Sequence, residues 1–131
     1  MENVFRAFEE FCAGKRRKKD VMVFSRNLED NLFTIHRSLI TKTYKHGSYQ
    51  MFYVKDPKIR QIHKASVSDR LVDHIVSSHL ERTFEPAFIK HSYSCRKNKG
   101  THKAVLALWA MAQSLTAEGN QNCWVLKCDV R

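Results

Sequence analysis

Asp129 stands at the end of an apolar run, Trp124-Val125-Leu126-Lys127-Cys128. A carboxylate there is costly unless it reaches water or binds a cation, so it reads either as a metal ligand or as a strand-terminal surface residue. Basic groupings precede it. Lys55 and Arg60 flank Asp56-Pro57-Lys58, and Asp-Pro favours a turn, which puts both cations beside the tip of an expected hairpin. Arginine suits bidentate phosphate recognition and lysine supplies a compact charge; the bland alternative is a solvated hairpin with surface cations. Arg96, Lys97, Lys99 and Lys103 cluster around Gly100, just ahead of a helix expected from Thr101. With the free amides and positive dipole end of that helix they make an anion site for nucleic-acid backbone, against the alternative of a plain basic loop. Ser68-Asp69-Arg70 opens another expected helix. Asp69 there meets the helix dipole, and Arg70 reads either as a phosphate contact or as half of a salt bridge. Lys15-Arg16-Arg17-Lys18-Lys19 is either a solvated face or a loose RNA contact.

The elements that must carry these groups follow from spacing. Val4, Phe5, Phe8, Phe11 and Cys12 predict a first amphipathic helix ended by Gly14. Phe24, Leu28, Leu32, Ile35 and Leu39 mark one side of a second helix from about Asp20 to Ile40. Tyr49, Met51 and Tyr53, then Ile59, Gln61 and His63, read as two strands around the Asp56-Pro57-Lys58 turn. Ser66 or Ser68 caps a helix whose apolar stripe is Leu71, Val72, Ile75, Val76, Leu80 and Phe84, closed by Glu85-Pro86. Phe88, Ile89 and Tyr93 are expected to pack a loop onto the core. Thr101 is expected to cap a last helix with Ala104, Val105, Leu108, Trp109, Ala112 and Leu115 inward. Cys123 to Val130 reads as a buried strand. The order helix, helix, hairpin, helix, helix, strand is α+β.

Composition narrows the class. A chain of 131 residues can form one domain with a modest core. No apolar run approaches the roughly 20 residues that span a bilayer, and the charged start Met1-Glu2-Asn3-Val4-Phe5-Arg6 has no leader-like apolar region. A cytoplasmic location without membrane partners is therefore expected. The net charge of +10, from 23 Lys and Arg against 13 Asp and Glu, favours a polyanionic partner. Nucleic acid is favoured over a membrane surface, because the cations are interleaved with polar and aromatic residues rather than lining one face of an apolar helix. Cys12, Cys95, Cys123 and Cys128 lack paired metal spacing and read as reduced structural thiols.

Taken in order, Tyr53 to Asp73, Ser92-Tyr93-Ser94-Cys95-Arg96-Lys97-Asn98-Lys99-Gly100-Thr101-His102 and Trp124 to Asp129 form a series. It resembles the fingers and first palm strand of retron-type reverse transcriptases, the group that includes group II intron and diversity-generating retroelement enzymes. The likeness covers roughly Ser48 to Arg131. It implies a mainly helical fingers subdomain with a β-hairpin, running into the first palm strand of a polymerase right hand. The organisation would be 1–47 as an N-terminal helical basic region, 48–120 as fingers and 121–131 as the start of the palm. By the same resemblance Lys55 and Arg60 contact the phosphates of an incoming dNTP. Arg70, Arg96, Lys97, Lys99 and Lys103 contact nucleic acid, and Asp129 with the Val130 carbonyl holds catalytic Mg2+. RNA template, DNA primer and dNTPs are the implied partners. Where members of the group often place glycines between the hairpin cations, this chain has Asp56-Pro57-Lys58-Ile59, a stiffer tip.

The second carboxylate motif of those enzymes, Tyr-x-Asp-Asp, does not occur in the sequence. Nor does the aromatic that follows their first aspartate. One carboxylate cannot build a two-metal site. The expectation is thus an N-terminal fragment of an RNA-directed DNA polymerase, a nucleotidyltransferase, that is inactive alone and self-associates through an unpaired apolar palm strand. The rivals are a non-catalytic basic RNA- or DNA-binding module and a helical interaction protein whose basic surface is incidental.

Overall fold

The structure, a computed structural model, describes residues 2–129. The chain separates into two compact units, the first ending at Glu85 and the second beginning at Pro86. The first contains α1 (Glu2–Phe11), α2 (Lys19–Ser25), α3 (Leu28–Ile40), the strands β1 (Gln50–Asp56) and β2 (Lys58–Lys64), and α4 (Val67–Phe84). A short 3-10 turn, Glu85–Ala87, follows α4, and the second unit holds α5 (Thr101–Leu115). Among the described residues, five α-helices and a two-stranded antiparallel sheet make an α+β arrangement.

Residues three or four apart on each of four helices supply the core of the first unit. Val4, Phe8 and Phe11 of α1, with Cys12, meet Val21 and Phe24 of α2, Leu32 and Ile35 of α3, and Val67, Leu71 and Val72 of α4. Phe8 stacks on Phe24 with ring centroids 5.6 Å apart. Burial pushes the Cys12 thiol above its ordinary range, against the pull of Arg16 and Lys15.

The single helix expected from Asp20 to Ile40 is two. Asn27 leaves the helical region (φ −121°, ψ 50°), and the Asn31 side chain donates to the Phe24 carbonyl at 2.9 Å, satisfying an end-of-helix acceptor. The apolar spacing from Phe24 to Leu28 runs straight across this break, so periodicity alone reads through it. At its other end α3 stops in a Schellman turn. Thr43 N–H donates to the Ser38 carbonyl at 2.9 Å and Lys42 N–H to Leu39 at 3.2 Å, with Lys42 left-handed at φ 56°.

The hairpin pairs Gln50 with Lys64 through Asp56 with Lys58. All of β1 is exposed, and in β2 only Ile62 and Lys64 are half-buried. A lone two-stranded ribbon is marginal in water, so its roots must hold it. The α4 stripe is only partly used: Leu71 and Val72 are buried and Ile75 packs beside them, but Val76, Leu80 and Phe84 are exposed. Length is the reason, since 18 residues reach about 27 Å while the 10 residues of α1 that pack against them cover about 15 Å.

In the second unit the sequence-based expectation fails more widely. Val105, Leu108, Trp109 and Leu115 of α5 are exposed, as are Phe88 and Ile89, and only the small Ala104, Ala107 and Ala112 are half-buried in the helix. Thr101 is the first helical residue rather than the cap; Gly100 takes that position at φ 103°, where a side chain would be strained. The buried palm strand expected over 123–130 is not formed by its described residues. Residues 123–129 adopt no regular structure, and Trp124 is 100% exposed. A strand is held by its ladder to a neighbour, and among the described residues β1 and β2 pair only with each other. Among the described residues no helix is long and apolar enough to cross a membrane.

Candidate functional site

The register of the hairpin decides where its cations point. Lys55 pairs with Ile59, and Arg60 pairs with Val54. Cross-strand partners share a face and successive residues alternate, so Lys55 and Arg60 project from opposite faces. Met51, Tyr53, Ile59, Gln61 and His63 share the Lys55 face, with the Tyr49 ring edge-on to His63 at 6.3 Å. Phe52, Val54, Lys58, Ile62 and Lys64 share the Arg60 face. A single phosphate group can meet both tip cations only from the edge or end of the ribbon. Each face combines cations with exposed aromatic or apolar side chains, a surface suited to phosphate contact and base stacking.

Two aspartates fasten the roots of this ribbon to the helices. Asp69 serves the side before β1. Ser66 caps α4 by accepting the Asp69 amide at 3.1 Å, and its hydroxyl donates back to Asp69 Oδ2 at 2.6 Å. Asp69 Oδ1 accepts the Tyr44 hydroxyl at 2.5 Å and the Gly47 amide at 3.2 Å. Burial opposes the charge on Asp69, but these donors outweigh it and hold its carboxyl below the usual carboxylate range. Burial and the Asp69 carboxylate push the Tyr44 phenol upward. The Schellman turn after α3 is what brings Tyr44 round to this position.

Asp20, in the first turn of α2, serves the side after β2. Its Oδ2 accepts Lys64 Nζ and Arg70 Nη2, each at 2.6 Å. The Lys64 hydrogen bond, opposed by partial burial and joined by Arg70, lowers the Asp20 carboxyl to about 2. Arg70 also donates through Nε to the Ser66 carbonyl at 3.3 Å and lies over the Phe11 ring, 5.7 Å from its centroid. Of the two sequence readings of Arg70, phosphate contact or salt bridge, it is the salt bridge that is formed here, with the protein's own carboxylate.

The basic loop of the second unit is organised by its own cations. Arg96 Nη1 donates to the carbonyls of Ile89 at 3.1 Å and Ser92 at 2.9 Å, with the guanidinium over Phe88. Lys99 Nζ reaches the Lys90 carbonyl at 2.9 Å and sits over Tyr93, while Lys103 Nζ reaches Asn98 at 2.7 Å. Lys97 is exposed. The loop therefore brings Arg96, Lys99 and Lys103 to the start of α5, where Gly100 leaves the first turn without a side-chain cap. In the first unit, Lys15 lies over Phe11 at 4.5 Å, and Arg16, Arg17, Lys18 and Lys19 are exposed.

Asp129 is exposed, and Val130 lies outside the described residues. Among the described residues no three His, Cys, Asp or Glu side chains group so as to hold a metal ion. Asp20, Lys64 and Tyr44 were not singled out by sequence, and Gly47 read only as a turn residue. Asp20 had the general signal of an acid in a first helical turn. Lys64, 44 positions away, had none, whereas Arg70, 50 positions away, read as half of a salt bridge whose partner the sequence did not name. A comparison with protein-family models and with curated proteins finds no match to this chain.

Proposed function

We propose that this chain is the front part of an RNA-directed DNA polymerase of the reverse-transcriptase type, holding template-primer and incoming dNTP on its fingers. The observation that carries the reading is the order of blocks along the chain. Lys55 and Arg60 at a hairpin tip are followed by Ser68-Asp69-Arg70 at a helix start, the Ser92 to His102 loop, and Asp129. A projecting hairpin with cations at its tip, between helices, supports it, as does the net charge of +10. On this reading Lys55 and Arg60 stabilise the triphosphate, and Arg96, Lys97, Lys99 and Lys103 carry template backbone. Magnesium, held in part by Asp129 and Val130, would supply phosphoryl-transfer chemistry in a site that needs further carboxylates.

The test is equilibrium binding of a fluorescent template-primer with and without the complementary dNTP. Lys55→Ala and Arg60→Ala are expected to abolish the extra affinity that the dNTP confers, while leaving binary template-primer binding within about twofold. A chain whose binding ignores the dNTP, and is indifferent to both substitutions, is not a polymerase fingers region. The second reading is a non-catalytic RNA- or DNA-binding module. It is favoured by the exposed position of Asp129, and it requires Asp129→Ala to change nothing.

A further inference from the structure

We propose that Lys64 and Arg70 form a phosphodiester-binding site that Asp20 occupies as an intramolecular phosphate surrogate, so that Asp20 holds down the affinity of this chain for single-stranded nucleic acid. The inference deepens the nucleic-acid reading and rests on it. Both cations converge on one oxygen, Asp20 Oδ2, at 2.6 Å each. Two positive charges on one singly charged, oxygen-bearing group is the arrangement a phosphodiester also satisfies, and arginine beside lysine matches it well. All three side chains remain between about a quarter and two fifths exposed, so an incoming strand can reach them. Lys64 lies at the end of β2, on the same face of the ribbon as Arg60 and Lys58, and a backbone tracking that face from the tip arrives at Lys64 and then Arg70. Asp20 is covalently part of the same body, so it competes at a high effective concentration and the exchange is reversible.

The site is distinct from the buried Asp69 carboxylate, whose donors are a tyrosine hydroxyl, a serine hydroxyl and the Gly47 amide rather than cations. Swapping one anion for another at Lys64 and Arg70 is nearly even in energy. Removing Asp20's charge should therefore reveal the site far more than removing a cation hides it.

The probe is a fluorescein-labelled 20-nucleotide oligo(U), followed by anisotropy across a KCl series for the full chain. Asp20→Asn is expected to bind roughly fivefold tighter than wild type, with a salt slope steeper by about 0.7, the contribution of one further single-strand phosphate. Asp30→Asn, which removes the same charge from the exposed start of α3, is expected to gain less than twofold with no change of slope. Adding Lys64→Gln and Arg70→Gln to Asp20→Asn should erase the gain, whereas the same pair of changes in wild type should cost less than twofold. A gain for Asp20→Asn no larger than for Asp30→Asn, or one that survives loss of both cations, overturns the proposal. Should Asp20→Asn unfold, the wild-type protein still decides it: the 13C shift of the Asp20 carboxyl must move on saturation with oligo(U), and an unmoved shift overturns the inference. The two readings fail separately. Loss of dNTP dependence removes the polymerase assignment while leaving this gain intact, and an absent gain leaves wild-type template-primer binding untouched.

Discussion

Asp69 and Asp20 each tie one root of the β1–β2 hairpin to the helical body, and they do it with different partners. Asp69 is only 3% exposed, and its carboxylate is served by a phenol, a serine hydroxyl and one backbone amide. Asp20 keeps 29% of its side-chain surface and is served by two cations. Buried hydrogen bonds to a carboxylate have no competing water and little dependence on salt, whereas a half-exposed ion pair is screened and can trade partners. One root is therefore a fixed joint and the other an exchangeable one. A projecting ribbon with both faces in solvent can be aimed precisely at its first root and still yield at its second.

The largest effect tests the fixed joint. Asp69→Ala strands the Tyr44 hydroxyl and the Gly47 amide and removes half of the reciprocal Ser66 cap. It is expected to cost about 3 kcal/mol in urea unfolding, independent of salt. A loss below about 1 kcal/mol would mean that the joint is not fixed. Tyr44→Phe removes one charge-assisted bond without opening a cavity and is expected to cost about 1.5 to 2 kcal/mol, again without salt dependence.

The same contrast explains what the sequence discloses. Ser66 and Asp69, three residues apart, are a local signal and were legible as one of two candidate caps and a first-turn acid. So were the core faces of α1 and of the first turns of α4, where the period is plain. The Asp20 pair was not, because nothing local marks a contact across 44 positions. The break at Asn27 was hidden because the apolar register continues through it. Trp109, Leu115 and Trp124 show the converse error. Their apolar character argued for burial, but burial requires a partner surface that spacing within one helix or run does not specify. In the candidate site the cations Lys55 and Arg60 were legible, yet their opposite faces were not. That depends on register, and a shift of one residue would reverse it.

The exchangeable joint makes a smaller and condition-dependent contribution. Asp20→Asn is expected to cost about 1 kcal/mol at neutral pH and low salt, and to cost little in 1 M KCl, where the Debye length shrinks to about 3 Å. Acid should do what salt does. The Asp20 carboxyl is lowered from 3.8 to about 2, so its contribution is fully present above about pH 4 and is lost as the pH falls through about 2. Unfolding free energy measured from pH 5 to pH 2 should therefore fall less steeply in Asp20→Asn than in wild type. Identical slopes would show that the ion pair does not contribute.

The finest probe sits within the fixed joint. Gly47 does not need a left-handed backbone, since it is absent from the positive-φ glycines Gly14, Gly100 and Gly119. What excludes a side chain is proximity: a Cβ there would lie 3.1 Å from Asp69 Oδ2. Replacing glycine by alanine ordinarily stabilises by about 0.4 to 1 kcal/mol through the unfolded chain. Here the carboxylate must yield a few tenths of an ångström, and its bonds to Tyr44 and Ser66 resist that. Gly47→Ala is therefore expected to be close to neutral, or to destabilise by up to about 0.5 kcal/mol, the two terms opposing each other. In the Asp69→Ala background the obstruction is gone and the same change should stabilise. The sign reversal, read from a double-mutant cycle in urea, measures how firmly Asp69 is held. If Gly47→Ala stabilises both backgrounds equally, the carboxylate moves freely, and the distinction between a fixed and an exchangeable root is lost.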